Sequence, residues 1–318
     1  MNHHEEFISL FYEMHKNKKL GNEINLPPGF ENTETVWMNF YGLGKFETLS
    51  FMYMECRDVE HFRQWITDLK GNAFVEQATL RFNSWSTDQQ TKSSKAPVYP
   101  KTLSEEQLQF WETFGYIRIP GAVESSICNQ VRQQICEHLN IEIDQPQTWY
   151  QKHPDLQGIM VQLYQNEQME KVRYHPRIKE IFAELYQTDQ LIPTTEKVGF
   201  NPPETDEWKL RNGSLHWDIN FEAPIGFHIQ GLVYLDEVPQ ERGPLMVVPG
   251  FHLRFKDWIK PFASLEKAQE YMLATETSSP VSGQRGDLIL WQNTIPHSAG
   301  RNQSTLPRFV QYVSFAKL

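Results

Sequence analysis

Three side chains have the types and the spacing to hold a metal ion. His216 and Asp218 lie two apart in SLHWDIN, and His297 follows far downstream in NTIPHSAGRN. On an extended strand, positions i and i+2 point to the same side. His216 and Asp218 can therefore converge on one ion while Trp217 points away. A later strand folding back beside the first would add His297. Two imidazoles and one carboxylate with open coordination positions form the facial triad of non-haem Fe(II) oxygenases. Each element has an ordinary alternative: HxD as a surface or capping pair, and a distal His as a structural residue. Arg308, at the start of RFVQYVSF, adds a further feature. An Arg pointing into a barrel needs an anionic partner. A dicarboxylate held by a metal at its other end would supply one, and Arg suits bidentate carboxylate recognition. A protein Asp or Glu would serve equally well at this stage.

The elements that must position these residues fall into two regions. From residue 103 the pattern is sharp. Ser104 caps a helix in LSEEQLQFWETFG, with Glu106 and Gln107 in its first turn and Gly115 at its end. YIRIP follows as a strand. SSICNQVRQQICEHL (125–139) is a second helix, with Ile127, Val131, Ile135 and Leu139 on one face, and HPRIKEIFAELYQ (175–187) is a third. After residue 190 helices nearly vanish. Short strands follow in PTTEKVGF, GFHIQGLVYLD, PLMVVPG, DLILWQN and RFVQYVSF, separated by Gly, Pro and Asn. That is the pattern of an antiparallel sandwich or barrel. GFHIQGLVYLD alternates His228, Gln230, Leu232 and Tyr234 on one face.

The stretch 86–102 is polar and Pro-punctuated and reads as a linker or long loop. Before it, residues 5–19 suit a short helix, and 58–70 suit a helix capped by Asp58. The aromatic and β-branched content of VWMNFYGLGKFETLSFMYMECRD favours strands, as does AFVEQATLRFNSW. The expectation is a mainly β chain with flanking helices: a jelly-roll core in residues 101–318, and an α+β extension in residues 1–100 serving as a lid or dimer contact.

Composition narrows the function classes. With 39% hydrophobic and 22% charged residues, the 318-residue chain has the apolar material for a packed core. Thirty Lys+Arg against 40 Asp+Glu give a net charge of -10 and no basic run, which disfavours nucleic acid as a partner. No apolar stretch suits a membrane helix, and the N-terminus is too polar for a secretory signal. A cytoplasmic monomer or homodimer is expected. Cys56, Cys128 and Cys136 are odd in number and form no CxxC pair, so a disulfide framework and a thiolate zinc knuckle are disfavoured.

Over roughly residues 103–318 the chain resembles the phytanoyl-CoA dioxygenase family of Fe(II)/2-oxoglutarate oxygenases. The resemblance runs through LSEEQLQFWETFGYIRIPGAV, GFNPP, the HWD segment, YLDEVPQERGPLMVVPGFH and RGDLILWQNTIPHSAGRNQSTLPRFVQYVSF. It implies a double-stranded β-helix, Fe(II) held by His216, Asp218 and His297, and 2-oxoglutarate anchored through its distal carboxylate by Arg308. O2 is the second co-substrate, and succinate and CO2 are released as a C–H bond of a small molecule is oxidised. Lys197 stands where the family lines the co-substrate pocket. Leu232 replaces a Trp common in the family, which makes Gln230 and Tyr234 candidate pocket residues. His252 matches a turn residue. Ala299 stands where a small hydroxyl residue is frequent. Halogenases related to the family lack the carboxylate ligand, so Asp218 disfavours halogenation.

Two other readings use the same residues. A ligand-binding or regulatory protein on a decayed oxygenase fold would be expected to have lost a ligand. A hydrolytic zinc site would leave Arg308 without a role.

Overall fold

The computed structural model of the chain describes residues 3–22, 25–90, 98–210, 213–220 and 225–318. They form two compact units: residues 1–99 with 186–195 and 315–318, and residues 100–185 with 196–314. Among the described residues, no helix is long and apolar enough to cross a membrane.

The first unit begins with five helices: α1 (His3–Lys19), α2 (Phe30–Phe40), α3 (Lys45–Met54), α4 (Val59–Lys70) and α5 (Asn72–Gln90). The strands expected in this region are absent among the described residues, so the extension is not α+β at its N-terminal end. Spacing overrides strand propensity here. Val36, Trp37, Phe40 and Tyr41 are buried and recur at the helical period, and so do Ala78 and Phe82. Gly42, in the left-handed region at φ 59, turns the chain between α2 and α3. α4 starts where Asp58 accepts the His61 amide at 2.8 Å, as its position predicts. α5 runs into the expected linker as far as Gln90; residues 91–97 of that linker lie outside the described residues.

His4 sits inside this aromatic cluster. The Trp37 indole N–H points at its Nδ1 from 3.1 Å, so a second proton has no room there. Burial pushes the His4 pKa down from 6.5 to about 4; Glu5 opposes the shift and Arg63 adds to it. The folded chain therefore keeps His4 neutral at pH values where the unfolded chain takes up a proton. Stability that is complete above about pH 6.5 is lost as pH falls toward about 4. The urea-unfolding midpoint should decline over that window, and decline less in His4→Gln, which keeps an acceptor for Trp37. Equal slopes would show that His4 is not the group responsible.

The remaining elements are α6 (Glu105–Phe114), β1 (Tyr116–Ile119), α7 (Ser125–Leu139), a 3-10 turn (Pro146–Thr148), β2 (Leu156–Gln157), β3 (Met160–Val161), α8 (Glu167–Arg173), α9 (Pro176–Tyr186), β4 (Leu191–Pro193), β5 (Val198–Asn201), β6 (Ile229–Tyr234), β7 (Leu245–Val247), α10 (His252–Trp258), α11 (Leu265–Thr275), β8 (Ser279–Val281), β9 (Leu288–Gln292), β10 (His297–Ala299) and β11 (Arg308–Lys317). Ser104 and Gln107 make the reciprocal capping box of α6, at 3.2 and 2.9 Å. Two helices, α10 and α11, stand beyond residue 190, where helices are expected nearly to vanish. Ala268 and Met272, four apart and buried, give α11 its inner face. Helical residues outnumber strand residues among those described, so "mainly β" holds for the core and not for the chain.

All strand pairings are antiparallel. The large sheet has the order β1-β9-β6-β11-β5-β3-β2, and the small one β10-β7-β8. The end of β11 also pairs with β4, within the first unit. The sheets do not close into a barrel among the described residues. Period-two alternation sets the large sheet's inner face. Gln230 lies opposite Ser314 and Trp291, Leu232 opposite Tyr312 and Ile289, and Tyr234 opposite Val310. Leu232, Tyr234, Ile289, Trp291 and Val310 pack with Leu245 and Val247 of the small sheet in one buried cluster. The Tyr234 hydroxyl donates to the Val281 carbonyl and accepts the Leu245 amide, tying the two sheets together.

Candidate metal centre and co-substrate anchor

His216 and His297 meet through their backbones. Each amide bonds the other's carbonyl at 3.0 Å, an isolated antiparallel bridge beside β10. Among the described residues SLHWDIN forms no strand and joins the small sheet at His216 alone. Trp217 points away as expected: its indole donates to the Thr294 carbonyl, and its ring packs against Phe251, Phe255 and Trp258.

The ligand-type atoms of His216, Asp218 and His297 all lie within 4.8 Å of one another. His297 Nε2 is 3.2 Å from Asp218 Oδ2, and His216 Nε2 is 3.8 Å from Asp218 Oδ1. The two imidazole Nδ1 atoms face backbone carbonyls, Ser214 O at 2.9 Å and Ile295 O at 3.1 Å. A carbonyl only accepts, so Nδ1 carries the proton in both rings and each Nε2 presents a lone pair. That is the arrangement by which a second partner fixes a metal-binding imidazole. Partial enclosure pushes the Asp218 pKa up. When Nε2 is protonated as well, the His297 hydrogen bond and the His297 and His216 charges join the Gln230 amide, overcome this and hold the carboxyl well below the usual range. An anionic carboxylate beside two Nε2 lone pairs is a donor set for a divalent cation.

Arg308 opens β11, opposite Asn201 of β5, and is 1% exposed. Its Nη1 donates to the Gly243 carbonyl at 2.6 Å. Its Nε and Nη2 are buried without a hydrogen-bond partner, and no carboxylate among the described residues pairs with it. The protein-acid alternative for Arg308 therefore has no candidate among them. Gly243 is in the left-handed region at φ 63. A Cβ there would lie 2.6 Å from Asn201 Nδ2 and 2.8 Å from the Gly300 carbonyl, so only glycine fits beside the guanidinium.

Register puts Lys197 on the same face as Arg308. Its carbonyl accepts the Tyr312 amide, and its side chain is half-buried. Tyr312 lies on the Arg308 face of β11; burial pushes its pKa up and the guanidinium beside it opposes the shift. Tyr312 was not singled out from the sequence, although alternation along RFVQYVSF marks its face. His228 bonds Ser314 Oγ at 3.0 Å, and His252 bonds the Glu112 carbonyl at 3.0 Å; both have structural partners.

Gln230 faces the triad. Its Nε2 donates to Asp218 Oδ2 at 2.7 Å, and its Oε1 accepts the Trp291 indole at 3.1 Å. The indole permits one amide orientation only, with the NH2 aimed at the carboxylate. Such outer partners of ligands are worth about 10- to 100-fold in metal affinity or activity. Gln230→Leu should weaken Fe(II) binding by roughly that factor. Unchanged iron affinity with a raised 2-oxoglutarate requirement would instead assign Gln230 to the co-substrate.

The family model described as Phytanoyl-CoA dioxygenase (PhyH) matches residues 111–310. A Dictyostelium discoideum protein named for the same family is 25% identical over 96 residues; the match covers 28% of this chain and 27% of the relative. Among solved structures, the non-haem α-ketoglutarate-dependent carbocyclase SnoK of nogalamycin biosynthesis is 20% identical, with a TM-score of 0.52 over 70% of this chain and 87% of its own. AviO1 of Streptomyces viridochromogenes Tue57 is 15% identical, with a TM-score of 0.51 over 69% and 97%. EctD of S. alaskensis, solved with 2-oxoglutarate and 5-hydroxyectoine, is 15% identical, with a TM-score of 0.51 over 70% and 80%. At these identities the likeness to the solved structures is one of fold.

Proposed function

The chain belongs to the phytanoyl-CoA dioxygenase (PhyH) family, and on that premise we propose that it is an Fe(II)- and 2-oxoglutarate-dependent oxygenase whose metal ligands are His216, Asp218 and His297. The observation that carries the assignment is the paired Nδ1–H···O=C locks, which aim both Nε2 lone pairs at the Asp218 carboxylate. When bound, iron and 2-oxoglutarate supply the oxidative chemistry: O2 and 2-oxoglutarate are consumed, succinate and CO2 are released, and a substrate C–H bond is oxidised.

The chain's own residues bind and orient. His297 and His216 offer neutral nitrogen donors, and Asp218 supplies negative charge to the ion. Gln230, itself oriented by Trp291, fixes the angle of that carboxylate. Arg308 meets the distal carboxylate of 2-oxoglutarate with Nε and Nη2, the two donors without a partner among the described residues. Tyr312 steadies the guanidinium, and Lys197 adds positive charge to the same face. The two antiparallel sheets serve as the halves of a double-stranded β-helix. Residues 101–318 form the oxygenase domain of a cytoplasmic enzyme acting on a small molecule, and residues 1–100 an accessory unit.

The rival reading, a non-catalytic binding protein on this fold, is opposed by the full set of ligand types and by the buried Arg308 guanidinium, which pairs with no carboxylate among the described residues. Succinate release from 2-oxoglutarate, measured with Fe(II) and O2 across a metabolite panel, tests the proposal. Turnover in the parent that disappears in His297→Ala supports it. Fe(II)-loaded protein that releases no succinate with any compound opposes it.

A further inference from the structure

A second set of two imidazoles and a carboxylate stands outside this centre. His138 lies in the last turn of α7, and His153 and Asp155 lie in the loop leading into β2. Their ligand-type atoms also fall within 4.8 Å of one another. His138 Nε2 is 3.0 Å from Asp155 Oδ2, and the two imidazole rings are 5.2 Å apart.

The backbone presents these groups from fixed positions. α7 ends at Asn140, whose left-handed conformation returns its amide to the Cys136 and Glu137 carbonyls. The chain after it is folded back by the Trp149 indole on the Glu142 carbonyl and by the Glu142 amide on Thr148 Oγ1. The His153 carbonyl accepts the Leu156 amide, and the Asp155 carbonyl accepts the Gln162 amide. Both loop ligands are thereby pinned to the β2–β3 hairpin, which continues the sheet edge beside β5.

The side chains lack matching satisfaction. His138 Nε2 is buried and makes no hydrogen bond of acceptable geometry, despite its closeness to the carboxylate. His153 Nδ1 takes only a 3.2 Å contact from the Asp155 amide. A cation accepting both imidazoles and the carboxylate would resolve this. Tetrahedral zinc binds nitrogen and oxygen at about 2.0–2.2 Å and readily keeps a water as its fourth ligand. Calcium and magnesium require more oxygen donors than one carboxylate provides.

We propose that His138, His153 and Asp155 bind a divalent ion of the zinc class, tying the end of α7 to the β2–β3 edge of the large sheet. Closure needs small side-chain rotations, and the weak His153 contact to the backbone amide is exchanged for a metal bond. The ion's role is to fix this edge, and the site is independent of the oxygenase reading.

Metal-stripped full-length protein, dialysed against Zn2+ and analysed for metal, provides the test. His138→Ala and Asp155→Asn should each bind one ion fewer than the parent. His297→Ala should keep the ion that His138→Ala loses, and Zn2+ should raise its melting temperature. Adding His138→Ala to that variant should remove the rise. A His138→Ala protein holding as many ions as the parent overturns the proposal. So does a His297→Ala protein that binds no Zn2+, a measurement that does not depend on the folding of the His138 variant. Succinate release enters none of these readouts, so failure here and failure of the oxygenase reading are distinguishable.

Discussion

Arg308→Ala should raise the 2-oxoglutarate concentration for half-maximal turnover by roughly 100- to 4000-fold. The guanidinium is 1% exposed, its one hydrogen bond to protein goes to the Gly243 carbonyl, and Nε and Nη2 have no partner among the described residues. Removing one member of a buried charge pair costs about 3–5 kcal/mol, and each 1.4 kcal/mol is tenfold in affinity. Arg308→Lys keeps the charge but loses the planar fork, so it should fall between parent and alanine variant. The readout is succinate release against 2-oxoglutarate concentration, with circular dichroism to check that the fold survives loss of the Gly243 contact. An unchanged requirement would assign the distal carboxylate to another cation, and Lys197, on the same face, is the first to examine.

His297→Ala should abolish stoichiometric Fe(II) binding and reduce turnover to background. The centre has two nitrogen donors, and His297 is the buried one. The fold should persist, because the bridge to His216 is made by main-chain atoms and survives the substitution. The side chain's one tie to the scaffold is the Nδ1 hydrogen bond to the Ile295 carbonyl; its other contact is Nε2 with the ligand carboxylate of Asp218. Iron analysis of anaerobically prepared protein checks this. A variant that kept the parent's iron content would show that His297 is not a ligand.

The candidate centre was legible in the sequence to the extent that its members have unusual types at short spacing. HxD requires only the two-residue period of extended chain, His297 follows soon after the strand DLILWQN, and the strand that Arg308 opens shows in RFVQYVSF. The capped helices were legible for the same local reason, as Asp58 and Ser104 show. What escaped depends on pairing across long separations. Gln230 is visible as an inner-face residue, but its grip on Asp218 follows from the β6–β9 register that sets it opposite Trp291. Nothing local to residue 230 encodes that register. The N-terminal unit escaped for a different reason. Its aromatics have strand-like composition, and Phe40, Tyr41 and Phe82 reveal their helices only through the period at which they are buried. Composition was the wrong signal there and spacing the right one.

The central claim is that one ion, held by His216, Asp218 and His297, is chelated by a 2-oxoglutarate whose far end Arg308 receives. Anaerobic titration of the Fe(II)-loaded protein with 2-oxoglutarate, followed by visible charge-transfer absorption, tests it most directly. A saturable band is expected in the parent, no band in His297→Ala, and in Arg308→Ala a band that forms only at far higher 2-oxoglutarate. Iron-loaded parent protein that develops no band, or a His297→Ala variant that develops the parent's band in full, would contradict it.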